Sequence, residues 1–67
     1  MMSLQELAYA LGLTNLQIVA LNDIGAAIKY GKCGYLSCAE NLSQAEDTYL
    51  RHWLCNEGIA IKEEGSE

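Results

Sequence analysis

Ser3 with Glu6 and Thr14 with Gln17 are two helix-start signals of the same kind, and Gly12 lies between them. That arrangement commits the first third of the chain to two helices joined by a tight turn. Behind Ser3, the residues Leu4, Leu7, Ala8 and Leu11 recur at helical spacing, so a first amphipathic helix follows. Gly12 can adopt the left-handed conformation that ends a helix, and Leu13 can then fold back onto it. The Thr14 hydroxyl restarts the chain, with Gln17 as its reciprocal capping side chain.

The second helix is the most apolar element. At about 100° per residue, Ile18, Leu21, Ile24 and Ile28 form one stripe. Leu16, Val19, Ala20, Ala27 and Tyr30 form another, nearly opposite. A helix that is apolar on both sides is normally buried on both. One stripe can pack within the chain. The other needs a cover, and a chain this short, which buries only about 60% of its unfolded surface, has few elements to supply one. Hydrophobic residues make up 51% of its 67 residues. Leu16, Val19, Ala20, Ala27 and Tyr30 are therefore the expected protein-contact face, with self-association into a homodimer as the simplest use and a separate protein partner as the other.

The unit from Leu4 to Asp23 resembles helix-turn-helix domains of the phage repressor, Cro and excisionase type. Leu7, Ala8, Leu11, Gly12, Leu13, Ile18 and Leu21 carry the resemblance. It implies an alternative function, a small DNA-binding regulator of phage or mobile-element type, with Thr14, Asn15 and Gln17 at the major groove and Lys29 and Lys32 on phosphates. The charge pattern disfavours that use. Affinity for duplex DNA comes largely from Lys and Arg, yet none occurs before Lys29, and the net charge is −5. Residues 1–39 hold two acids and two bases, whereas residues 40–67 hold seven acids against Arg51 and Lys62. An acidic surface repels nucleic acid and anionic membrane alike.

Gly31 should close the second helix after Tyr30, and Lys32 to Leu36 should form a loop or small wing. Ser37 with Glu40 and Ser43 with Glu46 are two further capping signals, so either a short helical turn at residues 37–41 precedes a last helix or one helix runs throughout; two pieces are expected, with Leu42, Ala45, Tyr49 and Trp53 on one stripe of the last. Trp53 is the expected centre of the core, and Gly58 the expected stop. The fold class is all-α, three to four short helices in a single domain over residues 1–61, with residues 62–67 as a flexible acidic tail. The apolar stretches are too interrupted to span a membrane or form a secretory leader, which points to the cytoplasm.

Cys33, Cys38, His52 and Cys55 include the ligand types of a tetrahedral zinc site. Their spacing contains no compact Cys-x2-Cys pair, and the reading adopted is that of reduced, small, buried or half-buried thiols, with His52 bordering the apolar stripe of the last helix and no metal or cofactor. Enzyme activity is not expected. The only pairing of nucleophile and base is a thiol with His52, no phosphate-binding glycine loop is present, and a chain this size leaves little room for a water-excluding cleft.

Overall fold

The computed structural model describes residues 2–61, so the expected acidic tail lies outside the described residues. It is all-helical: α1 (Leu4–Ala10), α2 (Asn15–Lys29), α3 (Tyr35–Ala39) and α4 (Gln44–Asn56), with no strand among the described residues. The small wing considered for Lys32–Leu36 is instead a loop running into α3.

Three complete capping boxes start α1, α2 and α4, at Ser3 with Glu6, Thr14 with Gln17, and Ser43 with Glu46. Each satisfies two backbone donors that a helix start leaves unpaired. Gly12 ends α1 at φ 76°. Beyond it the Leu13 N–H donates to the Ala8 carbonyl at 3.0 Å and the Gly12 N–H to the Tyr9 carbonyl at 3.1 Å, a Schellman closure that folds Leu13 into the core. The same pair of bonds closes α2 at Gly31 and α4 at Gly58.

Helices α2 and α4 run parallel, with their starts together and their ends together. At the start, the Gln17 amide donates to the Glu46 carboxylate at 3.0 Å. In the middle, the Tyr49 hydroxyl donates to Asn22 Oδ1 at 2.7 Å. At the end, Lys29 pairs with Glu57 at 2.7 Å. Parallel neighbours need a crossover, and the segment from Gly31 to Ser43, including α3, returns the chain to the starting end. Helix α1 packs on α4 as well.

The core has two connected parts. Ala8, Leu13, Leu21 and Tyr49 form one, and Tyr35, Leu50 and Leu54 the other, with Ile24, Leu42 and Trp53 packed against both. Two expectations change here. Trp53 is not the buried centre: it is half-buried, and the largest fully buried side chains are Leu21, Leu50 and Leu54. Its indole lies flat against α2 where Gly25 has no side chain. A Cβ built on Gly25 would stand 2.7 Å from Trp53 Cδ2 and Cε3. The second change concerns α3, which begins at Tyr35, with Gly34 as an N-cap lacking a side-chain bond. Ser37 does not cap it. The anchoring of the Tyr35 ring on Leu50 and Leu54 overrides the local signal at Ser37.

Tyr35 is also held at its polar end. Its hydroxyl donates to Asp47 Oδ1, while Arg51 Nε donates to Asp47 Oδ2 at 2.8 Å and the guanidinium lies 5.0 Å from the centre of the Tyr35 ring. Partial burial alone would push the Asp47 carboxyl up. The bonds from Tyr35 and Arg51, with the Arg51 charge, outweigh burial and hold it below its ordinary value. Glu46 is likewise held down, first by the Ser43 backbone bond and then by Gln17. A carboxyl whose pKa is lower in the folded state binds protons more readily when unfolded, so its stabilisation is complete above the unfolded value of about 3.9–4.3 and is lost as pH falls through the folded one. The urea midpoint is therefore expected to drop as pH is lowered from about 5 to about 2.5, and to drop less steeply in Asp47→Asn. Equal slopes for the two proteins would remove Asp47 from this account.

Candidate protein-contact face on the second helix

Because α2 packs on α4 through Leu21 and Gly25, the side turned away from α4 is fixed by helical periodicity. Leu16 is 84% exposed, Tyr30 69% and Val19 58%. Ala20 is exposed and Ala27 half-buried. All five expected contact residues thus lie along one strip of α2 and its C-cap, and the three large ones are uncovered. Asp23, also exposed, falls within the same strip, midway between Leu16 and Tyr30. The sequence reading passed over this acid.

The residues expected to meet DNA are placed differently. Thr14 and Gln17 are occupied with each other: the Thr14 N–H donates to Gln17 Oε1 at 2.8 Å, and the Gln17 N–H to Thr14 Oγ1 at 3.2 Å. One of the two donors on the Gln17 side-chain nitrogen is used on Glu46. Gln17 therefore joins two capping boxes, and its side chain is held at both its oxygen and its nitrogen. Lys29 is bound to Glu57 and lies 5.6 Å from the centre of the Tyr30 ring. That bond, followed by the Glu57 charge, raises its pKa. Asn15 and Lys32 are exposed, but a single lysine and a single asparagine are a thin basis for phosphate contact and base readout.

Beside the strip, Asn15, Ile18 and Asn22 of α2 form one wall of an open groove whose other walls include Leu4 and Tyr9 of α1 and Tyr49 and Trp53 of α4. Asn22, one of the polar groups lining it, is already bonded to Tyr49. Burial raises the Tyr49 pKa, against the opposing effect of that bond.

The four candidate zinc ligands are not brought together. Cys33 and Cys38 are joined as a disulfide, which corrects the expectation of reduced thiols at these positions. Cys55 is free and exposed, and His52 Nδ1 lies 3.3 Å from the Thr48 carbonyl one turn back in its own helix. Among the described residues no group of three or more His, Cys, Asp or Glu could hold a metal ion. No helix among them is long and apolar enough to cross a membrane.

Compared with protein-family models, with curated proteins and with solved structures, the chain matches none.

Proposed function

We propose that this is a small non-enzymatic regulatory or adaptor protein that acts through protein contacts, with the outward strip of α2 as its contact face and a second copy of the chain as its first partner. The observation that carries the reading is the exposure of Leu16, Val19 and Tyr30 along one side of a helix whose opposite side is already packed. Burying each large side chain is worth about 1.5–3 kcal/mol, against an association cost of about 4–15 kcal/mol. A dimer with Kd about 10–100 μM, or about −7 to −5 kcal/mol, falls inside the range these terms span.

The engaged side chains of Gln17 and Lys29 weigh against the DNA-binding alternative, as does the acidic balance of the chain.

Asp23 gives the reading a specific test. In an antiparallel pairing of two α2 strips centred on Asp23, Leu16 faces Tyr30 of the other copy and Val19 faces Ala27, while the two Asp23 carboxylates meet. Like charges placed opposite each other are destabilising. Asp23→Asn should therefore tighten self-association severalfold in sedimentation equilibrium. Weaker association of the variant would count against a second copy as the partner, since it would mean that Asp23 faces a base.

A further inference from the structure

The Cys33–Cys38 pair belongs neither to the contact face nor to the deep core. The two Cα atoms are 6.3 Å apart, within the range that a disulfide spans. Both residues are only half-buried, and Cys33 lines an open groove with Ile28, Tyr35 and Ile59, which places the bridge beside solvent. The bridge closes a short loop that contains Tyr35, the residue that docks α3 on α4.

The loop has anchors other than this bridge. Upstream, the Lys32 N–H donates to the Ala27 carbonyl at 2.8 Å and closes α2. Within the loop, Tyr35 is buried against Leu50 and Leu54 and its hydroxyl is bonded to Asp47. None of these contacts involves a sulfur, so breaking the bridge removes none of them. A half-buried bridge whose loop has other anchors is placed for exchange without unfolding.

From this placement we infer that Cys33 and Cys38 form a reversible thiol–disulfide site that exchanges with small thiols and disulfides of the glutathione class, and that its oxidised state clips the α2–α3 loop around Tyr35. One protein thiolate attacks a sulfur of glutathione disulfide, breaking its S–S bond and releasing one glutathione thiolate. The second protein thiolate attacks the resulting mixed disulfide, forming the Cys33–Cys38 bond and releasing the other glutathione. The two protein thiols are oxidised, glutathione disulfide is reduced to two glutathione thiols, and the two protons lost by the protein are taken up by them. Excess glutathione drives the reverse sequence.

The full chain is equilibrated in buffers ranging from reduced glutathione to glutathione disulfide. It is quenched with a thiol-alkylating label, analysed by intact mass and peptide mapping, and melted in each state. The expected result is three labels per chain in the reduced buffer and none on Cys33 or Cys38 in the oxidised buffer, where the exposed Cys55 carries either the label or one glutathione. The change should reverse on returning the protein to reduced glutathione. The oxidised form should melt higher by about 5 °C or more, and Cys33→Ser with Cys38→Ser should show no such redox-dependent difference. Labels on Cys33 and Cys38 in the oxidised buffer, glutathione retained on either of them as a stable mixed disulfide, one label after prolonged reduction, or identical melting of the two redox states would each overturn the proposal.

Discussion

Gly25→Val should lower stability by about 3 kcal/mol or more, a large part of the total for a chain of this length. Thermal unfolding followed by circular dichroism and by the fluorescence of Trp53, the only tryptophan, should show the midpoint falling by about 10 °C or more. The cause is the close passage of α4 across α2. A Cβ at Gly25 would meet two indole carbons at 2.7 Å, closer than carbon atoms can pack, and valine adds two further methyl groups. Alanine is the informative companion. At an ordinary helix-interior position, Gly→Ala gains about 0.8–1 kcal/mol from propensity, but here the indole must move. Gly25→Ala is therefore expected to be destabilising, and shortening the opposing side chain with Trp53→Leu should reduce that penalty. A Gly25→Ala protein stabilised by the full propensity increment would contradict the close approach.

Val19→Asp is expected to do the reverse: to leave the fold intact and abolish association. Val19 is exposed in the subunit and has no part in either core cluster, so a polar replacement there should change the melting midpoint by no more than about 2–3 °C, in keeping with a surface substitution worth about ±0.5 kcal/mol. At an interface between two α2 strips the same change would desolvate a carboxylate without a partner, at a cost of several kcal/mol. Association should weaken by about 100-fold or more. A coupled loss of stability and assembly would instead place Val19 in the folding core.

The architecture was largely readable from local signals. Ser3, Thr14 and Ser43 with their Glu or Gln partners mark three helix starts, and Gly12, Gly31 and Gly58 mark three helix ends, because capping and closure depend on residues within one or two turns. The two opposed stripes of α2 were legible for the same reason. What escaped was set by contacts distant in sequence. Tyr35 draws the start of α3 away from the capping signal at Ser37 by packing on Leu50 and Leu54. Gln17 reads as an available amide until Glu46 is brought beside it. Trp53 has the bulk of a core centre, yet Gly25 offers it a flat resting place at the edge. The unexplained glycine inside a well-patterned helix was the one signal that a close approach was due. Asp23 is legible within the contact strip, but its consequence comes from its exposure together with the symmetry of a pairing.

The central claim is that the outward strip of α2 holds two copies of this chain together. Sedimentation velocity of the 67-residue chain, from about 5 μM to 500 μM so as to bracket the expected Kd, tests it most directly when wild type and Val19→Asp are run side by side. The account predicts a wild-type sedimentation coefficient that rises with concentration from monomer towards dimer, and a Val19→Asp protein that stays monomeric throughout. Wild type that remains monomeric to the highest concentration, or a Val19→Asp protein that dimerises as wild type does, would contradict it.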